Sequence, residues 1–427
     1  MVKELTKTSN MERGEAGRGD GMSIENLEAS RIDTSPDVDY GICDADQHYY
    51  EPTDCLSRHL DPKYRGVVQW AEVGNRKTVL INGRQLSIVP NPTYDPVAAP
   101  GTLETYFRSE NFEGKELRDM VVMQPIQPEY RNRDERIRSM DEQGVEQAWI
   151  LPSFGLGIEE MLQEDPESTA AIFTAYNRWL DEDWGYARDN RIICPPMITL
   201  IDAQKAEEEI DRVLALGARM VILKAGPVGN PYGRPPSPAD PRFDRVWAKL
   251  AESGTVVVIH AGDAGYTKFL GDWGESTRYT GLKASPLTEV LSLGVERPIF
   301  DMMAAMVCHG LFDRHPTLRV ATVELGSAWL LDLYRRLGAA YGKTPQLFKR
   351  DPLEALREHV WVAPFYEENI GTLRDVHGAD RILLSTDWPH PEGLPTPRKA
   401  VLDYEVLGEA DMRKALRENQ LALTGPR

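Results

Sequence analysis

From residue 40 onward the chain alternates two kinds of apolar pattern. Short runs rich in Val, Ile and Leu are followed by longer stretches in which apolar residues recur at three- and four-residue spacing. The short runs are GICDADQH, EQAWILPS, ICPPMITL, ARMVILKAG, TVVVIHAGD, LRVATVELG, HVWVAPF and RILLSTDWPH, and they read as eight strands. Between them RDERIRSMDEQG, PESTAAIFTAYNRWLDEDWGYARDN, DAQKAEEEIDRVLALG, DPRFDRVWAKLAESG, SPLTEVLSLGVERPIFDMMAAMV, GSAWLLDLYRRLGAAYG and NIGTLRDVH each carry an apolar stripe. Several of these begin after Asp or Ser-Pro and stop at Gly, as helices do. Strands alternating with helices imply a parallel sheet of the α/β class, and eight repeats predict a (β/α)8 TIM barrel with its working groups at the strand C-termini. An open doubly wound sheet is the competing fold, but no GxGxxG loop follows any strand.

One stretch breaks the rhythm. Residues from about 55 to 135 hold KTVLINGRQLSIV, two alternating runs around Asn82-Gly83 that predict a type I′ hairpin, and then the Pro-rich VPNPTYDPVAAPG. They are expected to form an insertion after the first strand, over one mouth of a barrel domain spanning 40–427. Residues 1–39 are polar and Gly/Glu-rich, without the apolar core of a secretory signal, and read as a tail or an arm laid on a partner subunit.

Charge narrows the partners. With 49 Lys+Arg against 67 Asp+Glu the formal charge is −18, which argues against a nucleic-acid or anionic-membrane partner. The apolar runs fall well short of the roughly 18 residues of a spanning helix. Four scattered cysteines make neither a disulfide framework nor a zinc ribbon, so reduced thiols and a cytoplasmic location are expected. The partner expected is a small molecule.

The polar residues at the strand ends are of one chemical kind. The first strand ends in Asp46-x-His48 with Glu51 beyond, the fifth at His260, the sixth at Glu324 and the eighth at Asp387 and His390. Residues i and i+2 of a strand share a face, so Asp46 and His48 can chelate one ion. Imidazole and carboxylate ligands suit Zn, Fe, Mn or Co. Each buried ionisable group needs a partner to offset its desolvation, and four such strand ends in one barrel therefore point to a metal site. His309, near the end of the helix before the sixth strand, is either a helix C-terminal histidine or a site residue. With Glu51, Glu324 and His390 it would build a second metal position. His59, His315, His359 and His377 fall before strands or in loops and are expected to be structural, and Cys308 to be buried helix packing. Lys224, ending the fourth strand, would face the pocket, and Phe365 and Tyr366 would wall it.

Taken together, DxH at the first strand, HAGD at the fifth, FDRHPTLRVATVELGSAW across the sixth and STDWPHPEG at the eighth resemble the amidohydrolase superfamily. The nearest branch is similar to the one that includes aminocarboxymuconate semialdehyde decarboxylase and the resorcylate decarboxylases. The resemblance covers roughly residues 40 to 425. It implies that Asp46, His48, His260 and Asp387 hold a divalent transition metal, Zn, Mn or Fe, as one ion or two. It further implies that metal-bound water, with its pKa lowered toward about 7, is nucleophile or proton source. Many members carry His-Gly-Gly at the sixth strand where this chain reads Glu324-Leu-Gly, so Glu324 either transfers the proton, with His309, or adds a ligand oxygen. Lys224 would bind a substrate carboxylate, bridge metals as a carbamate, or pair with Glu324. The expected activity is hydrolysis or non-oxidative decarboxylation of a small carboxylate or carbonyl compound. Two further readings accompany it: a dinuclear Fe or Fe/Mn oxygenase, and a non-catalytic partner of an active paralogue. A homo-oligomer is expected, with a hetero-oligomer containing a paralogue as its variant.

Overall fold

The computed structural model describes residues 38–425 apart from 75, 90, 112, 278–284 and 292–294, and omits the side chains of 73 and 76. Residues 1–37 of the expected tail lie outside the described residues. Parallel strands β1 (Ile42–Tyr49), β2 (Val145–Pro152) and β3 (Ile192–Ile193) form one ladder, and β4 (Met220–Lys224), β5 (Val256–His260), β6 (Arg319–Val323) and β7 (Val360–Val362) another. The eighth segment, β8 (382–388), is held by single backbone bonds: Leu383 N–H donates to Val362 O at 2.9 Å, Ala45 N–H to Leu384 O at 2.9 Å and His48 N–H to Trp388 O at 2.8 Å. A bridge between Met197, in the segment that follows β3, and Ile222 joins that segment to β4, and bridges Val362–Ile382 and Gln47–Trp388 join β8 to β7 and β1. The sheet therefore closes, as the eight-strand reading requires and an open sheet does not.

Both faces of each strand are covered, which is why Val256, Val257, Val258 and Ile259 are an unbroken apolar run and all fully buried. Outside, the helix Pro166–Asp183 starts where the Asp165 carboxylate accepts from Ser168 N–H, and Ala203–Ala215 where Asp202 accepts from Lys205 N–H. The Asp and Asp-Pro signals are thus N-caps. The single helix expected over 285–307 is two, Pro286–Leu291 and Glu296–Cys308. Pro298 sits in the first turn of the second, where its missing N–H has no intrahelical partner to lose.

Between β1 and the helix Arg133–Glu142, strands Val68–Val73, Arg76–Ile81 and Arg84–Gln85 form an antiparallel sheet. Asn82 (φ 48°) and Gly83 (φ 73°) make its second turn with the two left-handed residues a type I′ hairpin needs. The same stretch reaches the loops beyond β2 and β8, at the strand C-termini. Leu103 N–H donates to Pro391 O at 2.8 Å, Arg108 pairs with Asp403 at 3.0 Å, and Ile88 lies against Gly157. Gly101 (φ 71°) comes so close to Pro395 that a Cβ would stand 2.6 Å from its backbone nitrogen, so only glycine fits this contact.

Candidate metal centre

β1 delivers three polar side chains to the barrel interior. Asp44, deepest, accepts from Thr386 Oγ1 at 2.5 Å, Gln47 Nε2 at 3.0 Å and Asp46 N–H at 3.1 Å, and burial pushes its carboxyl up to about 7. It props the strand beneath the centre. Above it Asp46 and His48 share the face, with His48 Nε2 3.2 Å from Asp46 Oδ1. The same nitrogen lies 3.2 Å from Asp387 Oδ1 and 3.8 Å from Glu324 Oε2. From β5, His260 Nε2 comes to 2.9 Å of Glu324 Oε2 and 3.8 Å of Asp46 Oδ1.

One ligand atom from each of Asp46, His48, His260 and Glu324 falls within 4.8 Å of the other three. Two neighbouring groups meet the same test: His48, Asp387 and His390, and Glu324, Asp387 and Glu392. Glu324 (φ 54°) and Asp387 (φ 56°) both hold left-handed backbone, a strain of order 1–3 kcal/mol each that turns the side chains from the strand ends toward the centre.

A second layer fixes these groups. Ser385 Oγ donates to Asp46 Oδ2 at 2.8 Å, and buried Arg136 donates from Nη2 to His48 O at 2.6 Å. His260 Nδ1 bonds Ala261 O at 2.9 Å, which places its proton there and aims the Nε2 lone pair inward. That Nε2 is buried and, despite its approach to Glu324, lacks a partner in hydrogen-bond geometry, an arrangement a cation would complete. His390 stacks on His48 at 4.0 Å, bonds Asp387 Oδ1 through Nδ1 at 2.8 Å, and meets Ser153 Oγ through Nε2 at 2.9 Å.

The electrostatics follow. Burial disfavours the charged form of His48, yet the adjacent Asp387 and Asp46 outweigh it and hold its pKa well above the usual histidine value. Against the same penalty, Glu324 and Asp46 lift His260 to about 9. Asp46 and Asp387 are held below the usual carboxylate range, overcoming their own burial, by His260 and His48 for the first and by His390 and His48 for the second. Glu392 is pushed up to about 7, by burial first and by Asp387 next.

Other expected site residues lie elsewhere. Glu51 is buried but outside the centre: its Oε1 accepts from Phe154 N–H, Gly155 N–H and Tyr176 OH at 3.0–3.2 Å, clamping the loop after β2. His309 is exposed, its Nδ1 3.0 Å from Ser237 Oγ. The helix carrying it runs antiparallel to the strands, so its last residue arrives at the start of β6 rather than at the strand C-termini. Cys308, expected to be buried, is exposed there for the same reason. Lys224 faces inward but is tied to Glu160 at 2.8 Å instead of Glu324. Tyr366 OH donates to Glu392 O at 2.8 Å, and Phe365 packs on Gly326, so both border the loops that carry Glu392 and Glu324. Glu392, Ser153 and Arg136 were not anticipated. Glu392 alone left a trace, standing two residues after His390 in the motif STDWPHPEG.

A family model described as amidohydrolase matches residues 44–423. A crystal structure of an amidohydrolase from Mycobacterium avium subsp. paratuberculosis is similar at 43% identity and a TM-score of 0.86, covering 91% of this chain and 100% of that one. The 2,6-dihydroxybenzoate decarboxylase from Rhizobium, at 18% identity, shares the fold with a TM-score of 0.55 over 90% of this chain and 98% of its own. So does 5-carboxyvanillate decarboxylase from Novosphingobium aromaticivorans, complexed with manganese and 4-hydroxy-3-methoxy-5-nitrobenzoic acid, at 14% identity and 0.53 over 91% and 97%. Among the described residues no helix is long and apolar enough to cross a membrane.

Proposed function

The chain belongs to the amidohydrolase family, and on that premise we propose that it is a metal-dependent enzyme that cleaves a small carbonyl or carboxylate compound, by hydrolysis or by non-oxidative decarboxylation. The observation that carries this reading is the meeting of Asp46, His48, His260 and Glu324 ligand atoms within 4.8 Å, with the buried His260 Nε2 lacking a hydrogen-bond partner. Asp46, His48 and His260 of that group would hold a divalent ion, with Asp387, whose Oδ1 lies 3.2 Å from His48 Nε2, as the further carboxylate, and this mix of imidazole and carboxylate donors suits Zn, Mn or Fe. Such an ion, when bound, lowers the pKa of its water toward about 7 and polarises a carbonyl oxygen.

The chain's own groups then divide the proton work. Glu324, at the more open side of the centre, offers a carboxylate that accepts a proton, which favours the hydrolytic arm. The decarboxylative arm needs a donor to a carbanionic carbon, and Glu392, whose carboxyl burial pushes up to about 7, would fill that part. His390 fixes Asp387 from behind, and Phe365 and Tyr366 form the apolar wall of the substrate space. Manganese in the Novosphingobium enzyme and the aromatic acid bound with it are consistent with this assignment.

Elemental analysis of the purified protein, followed by chelation and readdition of Zn, Mn and Fe during a screen of esters, amides, lactones and aromatic acids, tests the proposal. One equivalent of metal and metal-restored turnover are expected. Absence of metal, with a melting temperature unmoved by any of the three ions, would refute it. A second reading, a dinuclear Fe or Fe/Mn oxygenase, is favoured by the adjoining Glu324, Asp387 and Glu392 group. Two equivalents of Fe or Mn with oxygen-dependent turnover would select it.

A further inference from the structure

Glu324 reaches the metal centre from a short connection. Residues 324–327 alone link β6 to the helix Ala328–Lys343, and two of them, Glu324 (φ 54°) and Gly326 (φ 65°), are left-handed. A residue with a side chain keeps such a backbone only where its surroundings over-determine it. Asp387, the other left-handed residue of the centre, is held from within its own loop, where His390 N–H donates to Asp387 O at 2.8 Å and Leu394 N–H to Thr386 O at 2.9 Å. The 324–327 link is anchored from outside. Ser327 makes no side-chain bond to the helix it precedes, and the first helical turn carries no acidic residue. The cap comes instead from the loop beyond β7, where the Glu368 carboxylate straddles two loops. Its Oε1 accepts from Ser327 N–H at 2.9 Å and Ala328 N–H at 3.0 Å, and its Oε2 from Phe365 N–H at 2.9 Å. The Phe365 ring lies over Gly326, so close that a Cβ there would stand 2.8 Å from it. Charge-assisted bonds and the positive end of the helix dipole both favour a carboxylate in this position.

We propose that Glu368 is a positioning residue of the metal centre: by pinning the far end of the 324–327 link it imposes the left-handed turn at Glu324 and aims that carboxylate at the histidines. The near end of the link is fixed by the ladder, in which Val323 pairs with His260. With both ends held, the turn at Glu324 brings its Oε2 to 2.9 Å of His260 Nε2 and 3.8 Å of His48 Nε2. The three bonds of Glu368 go to backbone N–H groups, and it belongs to none of the ligand groups among the described residues. Its influence on the centre therefore passes through Glu324. The role rests on the reading of Glu324 as part of a metal-binding centre, and the two can fail separately.

A helix cap and nothing more would cost stability without reaching the centre. Titration with Mn2+ would compare the full-length wild type with Glu368→Ala, Glu324→Ala and the double variant. Asp351→Ala serves as the control, because Asp351 caps the helix Pro352–His359 through Leu353 N–H at 2.8 Å. Glu368→Ala should weaken Mn2+ binding about tenfold, as outer-layer changes do, while Asp351→Ala leaves it at the wild-type value. On the Glu324→Ala background Glu368→Ala should weaken it no further, since a residue that acts through another is silent once the other is gone. If Glu368→Ala fails to fold, Glu368→Gln, which sets an amide donor against one of these N–H groups, takes its place in the cycle. Metal-free crystals of the Glu368 variant should show Glu324 out of the left-handed region and its carboxylate withdrawn from His260. Equal weakening with and without Glu324, equal weakening by Asp351→Ala, or an unmoved Glu324 in the variant crystals would overturn the proposal. A wild type that takes up no Mn2+ would refute the metal centre instead, and the metal-free crystals would still decide the role of Glu368.

Discussion

Two buried histidines at one end of the barrel and two at the other differ in everything except their exposure. At the strand C-termini His48 and His260 are 0% and 3% exposed; toward the strand N-termini His359 and His377 are 2% and 3% exposed. His359 bonds Leu318 O at 2.6 Å through Nδ1, and His377 lies between Tyr334 OH at 2.7 Å and Val360 O at 2.9 Å. Burial dominates there and lowers both pKa values, that of His377 to about 4. The upper pair faces Asp46, Glu324 and Asp387, and the same burial is overridden. Similar exposure with opposite outcomes shows that the partners decide: backbone carbonyls make a neutral structural histidine, whereas converging carboxylates gather charge that an ion must resolve.

The sharpest break in this comparison is a pair of alanine variants. His260→Ala should weaken metal binding at least about a hundredfold, roughly 2.7 kcal/mol, while His359→Ala leaves stoichiometry and affinity unchanged; titration with a chromophoric chelator distinguishes them. Equal loss in both would mean that the metal effect is global unfolding.

Next in size is a difference in pH dependence. The folded-state pKa of His377 lies below its unfolded value, so the unfolded chain binds the extra proton. Stability is full above about pH 6.5 and falls as pH drops toward 4, by about 3 kcal/mol if the whole shift is expressed. Urea denaturation of His377→Gln should show a flatter slope in that window. His260 has the opposite sign: raised to about 9, in chelated protein it contributes stability below about pH 6.5 that is lost as pH rises through 9. Parallel slopes for wild type and His377→Gln below pH 6.5 would count against the partner argument.

A smaller effect is expected behind the centre. Ser153→Ala removes the hydroxyl that meets His390 and should weaken metal binding about tenfold, as outer-layer changes do. Smallest is His309→Ala, which should leave metal affinity unchanged and shift stability by no more than about 0.5 kcal/mol; calorimetric metal titration and thermal melting read both.

Much of the barrel was legible because period and punctuation are local. The run VVVIH announces a strand buried on both faces, and Asp-Pro pairs announce helix starts whatever the tertiary context. The i, i+2 spacing of Asp46 and His48 and the strand-end placement of His260, Glu324 and Asp387 were legible for the same reason. What escaped depends on where loops return. Glu392 and Ser153 meet the centre only because two loops fold over the same strand ends, and Lys224 is claimed by Glu160 from the short helix after β2. His309 was misplaced because a histidine close to β6 in sequence is, at a helix C-terminus, close to the wrong end of that strand. Glu51 was misplaced because the chain turns away after Tyr49, sending its carboxylate to the β2 loop.

The central claim is that the carboxylates and imidazoles gathered at the strand C-termini form one metal-binding centre. Anomalous diffraction from crystals soaked in manganese, recorded above and below the absorption edge, tests it most directly. The account predicts a peak enclosed by Asp46, His48, His260 and Asp387, with or without a neighbour beside Glu324 and Glu392. A fully ordered centre with no anomalous peak, or a peak confined to other residues, would contradict it.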